Sequence, residues 1–113
     1  MVRLATPIIR GIARCLAPLL RRVQVEGVSM VPTYAPGEFV WVRRTWRPPT
    51  VGSVVVARDP ETPQREVVKR VIARRSGRVS LQGDNTEVSR DSRNYGDVPI
   101  SSVKWRVVPQ RRP

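Results

Sequence analysis

The chain has 113 residues, which is enough for one domain with a modest core. Its net charge of +12 leaves nucleic acid, anionic lipid and acidic proteins open as partners. The chain contains no histidine and a single cysteine, Cys15, so it lacks a Ser-His-Asp triad, a Cys-His dyad, a His-ligated metal site and an internal disulfide. We expect no metal and no cofactor.

The first segment, residues 1–22, differs in pattern from the rest of the chain. Its apolar residues recur at helical spacing, with arginines on the opposite side, which predicts a basic amphipathic helix. Such a helix either contacts an anionic membrane or packs on protein. Its uncharged stretches fall far short of the roughly 20 residues that span a bilayer, and Arg10 and Arg14 interrupt any secretory signal. The expected location is therefore cytoplasmic or peripheral on the membrane.

Residues 23–108 have the pattern of a β domain. Runs rich in β-branched residues alternate with turns containing Pro, Gly, Asp and Asn, and the runs lie at 38–43, 53–57, 66–72, 78–82 and 103–108. This spacing predicts a mostly β fold, a compact antiparallel sheet or partial barrel preceded by the N-terminal helix. Residues 109–113 are expected to form a flexible tail.

Two side chains are candidates for hydrolytic chemistry. Without histidine the base must be another residue, and lysine can serve when its amine is neutral. Lys69 is one of two lysines and lies in an apolar strand pattern, where burial would lower its pKa; the alternative is a lysine that extends to solvent. Ser29 lies in a turn between Gly27 and Pro32 that could expose its hydroxyl near backbone N–H groups, although a serine in a turn is most often ordinary surface.

A third cluster, residues 83–96, concentrates hydrogen-bonding side chains between strands. Asp91 and Arg93 can form an ion pair there. Either this is a polar loop of no special role, or its directional groups serve a site.

Taken together, the three segments resemble the signature blocks of the signal peptidase I family. The Ser-Met-x-Pro-Thr block is matched at 29–33 and the Lys-Arg-Val block at 69–71. The Gly-Asp-Asn, Ser-x-Asp-Ser-Arg and Gly elements are matched at 83–85, 89–93 and 96. The resemblance implies a serine endopeptidase with the family's β catalytic core, spanning residues 25–99.

The resemblance also implies a role for each matched residue. Ser29 would be the nucleophile and Lys69 its general base, with the Lys69 amine oriented by Ser89. The pairs Asp84–Arg70 and Asp91–Arg93 would hold the site, and Met30 with Pro32 would shape the substrate pocket. Gly27 stands where many members have a serine that completes the oxyanion hole, which leaves the Ser29 backbone N–H and one unidentified donor.

The chain's compact form is similar to the small peptidases that mature nickel-type superoxide dismutase. That similarity implies a precursor with an N-terminal extension as substrate, and possible contact with an anionic membrane. The alternatives are a general signal peptidase for exported preproteins and a basic nucleic-acid-binding β domain with stacking aromatics. Nucleic acid is not the expected partner, because that alternative leaves the three blocks unexplained. Self-cleaving repressors have a similar Ser–Lys spacing but lack the third block.

Overall fold

The computed structural model describes residues 2–5 and 19–109. In these residues eight strands, one helical turn and one short 3-10 helix are formed. The strands are β1 (Val2–Ala5), β2 (Leu20–Val25), β3 (Phe39–Arg44), β4 (Val54–Arg58), β5 (Glu66–Arg75), β6 (Arg78–Gln82), β7 (Val98–Pro99) and β8 (Val103–Val107). The helical turn α1 spans Ser92–Tyr95, and the 3-10 helix spans Ile100–Ser102.

All of these strands belong to one antiparallel sheet with the order β1-β2-β3-β8-β4-β5-β6-β7. The sheet curls so that β1 comes close to β5. The register shifts between Val56 and Ala57 and between Val71 and Ala73, and such bulges strengthen local twist. The predicted compact, mostly β antiparallel fold is confirmed.

The middle of the sheet is packed on both of its faces. Strand β4 is buried at four consecutive positions, because both of its faces are covered. Val54 and Val56 pack in one apolar cluster with Val68 of β5. Val55 and Ala57 pack in a second cluster on the other face. The β4–β5 hairpin is therefore fixed between two cores, and this hairpin carries Lys69.

The predicted N-terminal helix is wrong at both of its ends. Val2–Ala5 and Leu20–Val25 are strands that pair with each other, and β2 also pairs with β3. Val23 and Val25 are buried at every second position, so sheet pairing and burial outweigh the local helical spacing. The rest of that prediction, at 6–18, lies outside the described residues, as do 110–113 of the tail. In the described ranges, no helix has the length and apolar character needed to cross a membrane.

Candidate active site

Ser29 lies in a tight turn directly after β2. Gly27 has a φ of 77°, a left-handed conformation that glycine adopts without strain. The N–H of Val31 then donates to the carbonyl of Val28 at 3.1 Å, which closes the turn around Ser29. Ser29 itself is half-buried. The Ser29 hydroxyl therefore lies on a turn that follows the C-terminal end of β2.

Lys69 lies inside the sheet, on the rigid hairpin. It is 4% exposed and sits between Val68 and Arg70 on β5, opposite Val55 of β4. Burial lowers the pKa of its amine from the ordinary value, and this effect exceeds the opposing attraction of Asp91 and Asp59. A neutral amine, which can accept a proton, is thereby favoured at this position.

Ser29 and Lys69 line one cleft of about 380 Å³. Its walls combine three valines with acidic and basic side chains; the other lining residues are Glu26, Gly27, Val28, Asp59, Arg65, Val67, Val88 and Arg90. Val28 and Val88 are 47% and 57% exposed, so apolar surface is available on both sides of Ser29.

A chain of hydrogen bonds fixes the Lys69 amine. Lys69 Nζ donates to Ser89 Oγ at 2.8 Å, and the Ser89 hydroxyl donates to Asp91 Oδ2 at 2.7 Å. The backbone N–H of Gly83 donates to both acceptors, at 3.1 Å to Ser89 Oγ and 3.0 Å to Asp91 Oδ2. All four groups are buried, so the amine has one defined position.

Asp91 anchors this chain as a fully buried carboxylate. It caps α1 by accepting from the N–H of Arg93, and the Arg93 side chain donates to it at 2.9 and 3.1 Å. Burial alone raises the pKa of Asp91, but the bonds from Arg93, Gly83 and Ser89 outweigh burial and lower the pKa to about 2. The group is therefore a permanent anion at neutral pH.

The turn at 83–85 is hydrogen-bonded to the Ser29 turn. Asn85 donates its N–H to the Ser29 carbonyl at 2.8 Å and its side-chain amide to the Val28 carbonyl at 3.1 Å. A Cβ on Gly83 would lie 2.2 Å from Ser89 Oγ and 2.6 Å from the Ser29 carbonyl oxygen. Only glycine at this position allows the Ser29 turn and the Ser89 segment to approach so closely.

Asp84 links the same turn to the sheet. Arg70 grips its carboxylate with two bonds of 2.8 Å, and Thr33 donates a short hydrogen bond to it. The bond from Arg70 is the main reason that the pKa of Asp84 is lowered. Arg70 also donates to the Gly52 carbonyl at 2.7 Å, so its guanidinium links the 83–85 turn to the loop at Gly52.

The structure brings together most of the residues predicted for the site. Ser29, Lys69 and Gly27 line the cleft. Ser89 bonds to Lys69 and to Asp91, Asp91 pairs with Arg93, and Asp84 pairs with Arg70. The cleft lining does not include Met30 and Pro32: Met30 is fully buried in the core, where its long side chain fills space beneath the turn. That Met30 and Pro32 shape the substrate pocket stays a prediction.

Asn85 and Thr33 belong to the family signature blocks, but the sequence alone predicts no separate role for either residue. Their polar side chains beside turn residues were the available signal. Within the described parts of the chain, no three carboxylate or thiol groups come together as a metal site.

The family model for signal peptidases of the peptidase S26 type matches residues 2–81, a range that includes Ser29 and Lys69. Mitochondrial ATP-independent inner membrane protease subunit 1b of Arabidopsis thaliana is 34% identical over 108 residues, covering 73% of this chain. Mitochondrial inner membrane protease subunit 1 of Schizosaccharomyces pombe is 36% identical over 106 residues, covering 74% of this chain. The Homo sapiens protein of that name is 29% identical over 108 residues, covering 75% of this chain. The matches span 64%, 68% and 65% of those proteins, about two thirds of their length.

Proposed function

The chain belongs to the peptidase S26 family, the signal peptidases. On that premise we propose that it is a serine-type peptidase that removes an N-terminal extension from a precursor protein, with Ser29 as nucleophile and Lys69 as general base. The observation that carries the proposal is the cleft that Ser29 shares with a buried lysine whose pKa is lowered. Arginine could not take the base role, because its guanidinium keeps its proton.

The proposed reaction has two halves. The neutral Lys69 amine accepts the proton of the Ser29 hydroxyl as Ser29 Oγ attacks the scissile carbonyl. The resulting ammonium donates that proton to the leaving amine, so the C–N bond breaks and an ester to Ser29 remains. Lys69 then takes a proton from water, which attacks the ester and releases the new carboxyl end, and the proton returns to Ser29.

The surrounding residues position this pair. Ser89 and Asp91 hold the amine, whereas Asn85 and Gly83 hold the Ser29 turn. We assign the oxyanion to the Ser29 backbone N–H with a second donor, and Gly27 supplies the turn conformation but no hydroxyl. Val28 and Val88 provide apolar surface for small side chains next to the scissile bond.

For the substrate we propose a precursor with a short N-terminal extension, as in the maturation of nickel-type superoxide dismutase. The support is the resemblance of this compact chain to the peptidases that perform that step. The second candidate is a general signal peptidase acting on preproteins at a membrane. It is favoured by the names of the relatives, which are proteases of an inner membrane.

Co-expression with a full-length precursor of nickel superoxide dismutase, followed by intact mass and N-terminal sequencing, separates the two candidates. We expect trimming with the wild type, none with Ser29→Ala, and unchanged trimming with the control Ser102→Ala, whose hydroxyl donates to the Pro99 carbonyl and does not line the cleft. An untouched precursor, alongside efficient cleavage of an exported preprotein, would assign the chain to the general signal peptidases instead.

A further inference from the structure

An ion pair joins two segments of the chain that line the cleft. Arg90 Nε donates to Glu61 Oε1 at 3.1 Å, and Arg90 Nη2 donates to both carboxylate oxygens of Glu61. Glu61 lies in the β4–β5 connection, residues 59–65, and Arg90 lies in the Ser89 segment, residues 86–91. The contact engages both oxygens of the carboxylate, and this geometry gives an arginine pair its directional specificity.

Both of these segments contribute walls of the cleft. The β4–β5 connection contributes Asp59 and Arg65 to the lining, and the Ser89 segment contributes Val88 and Arg90. The lining does not include Glu61. The Glu61 carboxylate therefore acts on the cleft through the positions of these neighbours.

Hydrogen bonds hold the β4–β5 connection together internally. The Asp59 carboxylate accepts from the Glu61 N–H at 2.9 Å, and the Asp59 carbonyl accepts from the Thr62 N–H at 3.2 Å. The Arg65 N–H donates to the Thr62 carbonyl at 2.8 Å, and the Asp59 N–H donates to the Arg65 carbonyl at 2.9 Å. Two prolines restrict the same connection further. Because the connection is bonded within itself, a single tie at Glu61 fixes where all of it lies.

The other partner, Arg90, is anchored by its two neighbours in sequence, which are both buried. Ser89 accepts from Lys69 Nζ and donates to the Asp91 carboxylate, and the Asp91 N–H donates to Asn94 Oδ1 at 3.1 Å. The ion pair thus ties the β4–β5 connection to the segment that fixes the Lys69 amine.

We propose that the Glu61–Arg90 ion pair is a clasp that holds the β4–β5 connection against the Ser89 segment and so sets the shape of the cleft that receives the substrate. Glu61 and Arg90 are then positioning residues for substrate binding. The inference rests on the proposed peptidase function, but it concerns the cleft wall and not the Lys69 amine, which Ser89 holds. The Arg90 and Glu61 side chains are 65% and 46% exposed, so salt should weaken the clasp.

The kinetic test uses a soluble peptide without charged side chains near the scissile bond. We expect Glu61→Gln and Arg90→Gln each to raise KM by about two- to fivefold with kcat unchanged, since an exposed ion pair is weak. The double variant should raise KM no further than either single variant, because both substitutions remove the same interaction. Sodium chloride should raise the KM of the wild type and leave that of Glu61→Gln unchanged. The matched control is Arg21→Gln, which breaks the ion pair with Glu66 on the opposite face of the β4–β5 hairpin and should leave KM unchanged.

A second measurement needs no activity. In the full chain carrying Ser29→Ala, hydrogen exchange of the amides at 59–66 is followed by mass spectrometry. We expect the added Arg90→Gln to speed this exchange by about two- to fivefold, because the connection loses its tie. The added Arg21→Gln should leave the exchange unchanged.

Several outcomes would overturn the clasp. Additive effects of the two substitutions on KM, or an effect of Arg90→Gln alone, would mean that Arg90 contacts the substrate directly. The same salt dependence in the wild type and Glu61→Gln would remove the ion pair from substrate binding, and unchanged exchange at 59–66 in Arg90→Gln would show that the pair does not hold the connection. Absence of any Ser29-dependent cleavage would contradict the proposed function instead, and the exchange measurement would still decide whether the clasp holds the connection in place.

Discussion

At the scale of single residues, burial lowers the pKa of the Lys69 amine and a chain of hydrogen bonds fixes its position. Lys69 is 4% exposed, and its burial lowers the pKa, while Asp91 opposes that shift from behind Ser89. The Ser89 hydroxyl stands between the amine and the carboxylate, so it holds the amine without bringing the full negative charge into contact. Ser89 is thus a positioning residue in this account.

The first prediction concerns Ser89→Ala. The substitution removes the acceptor of the Lys69 hydrogen bond, so we expect kcat to fall by about 10- to 100-fold with little change in KM. Activity should rise with pH as Lys69 loses its proton, and the acid limb should move to lower pH in the variant, because loss of an acceptor disfavours the ammonium. The measurement is a pH–rate profile on a soluble peptide, with Ser102→Ala as control. A lowered kcat with an unmoved limb would leave Ser89 with a merely structural role.

The second prediction concerns Gly27→Ser, which would introduce the hydroxyl that many signal peptidases have. No atom lies within 4 Å of a Cβ built there, but φ is 77°, so the cost is conformational and about 1 kcal/mol. We expect a lower melting temperature, with kcat raised if the hydroxyl reaches the oxyanion. Gly77→Ala, at a φ of 79° with an equally open surrounding, is the control for strain alone. An unchanged melting temperature would contradict the conformational argument.

At the scale of elements, the site is assembled by packing one turn against another. The turn at 83–85 carries no residue that lines the cleft, yet it bonds to the Ser29 turn, to Ser89 and to Asp91. The β5 strand contributes Lys69 on one face and Arg70 on the other, and Arg70 grips Asp84 of the same turn. Ser29 and Lys69, the two proposed catalytic residues, are therefore held in place by a segment that lies outside the cleft.

The third prediction concerns Gly83→Ala. A Cβ at this position would meet Ser89 Oγ at 2.2 Å and the Ser29 carbonyl oxygen at 2.6 Å, so the two turns must separate. We expect a stability loss of about 1–3 kcal/mol together with a kcat lower by at least about 100-fold. Gly77→Ala, which meets no neighbour, should lose about 1 kcal/mol and retain activity. Wild-type turnover in Gly83→Ala would show that the close approach is dispensable.

The elements set by local residue patterns could be predicted from the sequence, whereas those set by pairing with distant strands could not. Strands β3 to β6 and β8 follow from β-branched runs between turns, and the predicted bounds differ from the observed bounds by at most three residues. β2 was mistaken in part for a helix, since its pairing with β1 and β3 is set by partners far away in sequence. The ordered blocks indicated Ser29, Lys69 and Ser89, but the burial of Met30 depends on packing that no local pattern records.

At the scale of the whole molecule, one curled sheet carries two pockets on opposite faces of the β4–β5 hairpin. The cleft with Ser29 and Lys69 lies on one face, and a pocket lined by Arg21, Arg58 and Lys104 lies on the other. The net charge of +12 leaves anionic lipid, nucleic acid and acidic proteins open as partners. Whether the segment 1–22 contacts an anionic membrane or packs on protein stays open, and strands form at its two ends.

The fourth prediction concerns the stability of the whole molecule as a function of pH. The folded pKa of Asp91 is about 2, below its ordinary value of 3.8, so its contribution of about 2 kcal/mol is present above about pH 4 and is lost as the pH falls to about 2. Asp91→Asn should lower stability at pH 7 and flatten its dependence between pH 4 and 2. Denaturant unfolding across that range is the measurement, with the exposed Glu87→Gln as control. An equally steep acid loss in Asp91→Asn would assign that loss to other carboxylates.

The most direct test of the central claim is to trap the acyl-enzyme. The wild type is mixed with a cleaved peptide substrate, quenched in acid within the first turnover and analysed by intact mass and peptide mapping. We expect an ester of the amino-terminal product on Ser29, absent in Ser29→Ala and in Lys69→Met, both folded and both slower by at least about 1,000-fold. The exposed Lys104→Met should form the ester as the wild type does. An adduct on another residue, or cleavage at the wild-type rate in Ser29→Ala or Lys69→Met, would contradict the account.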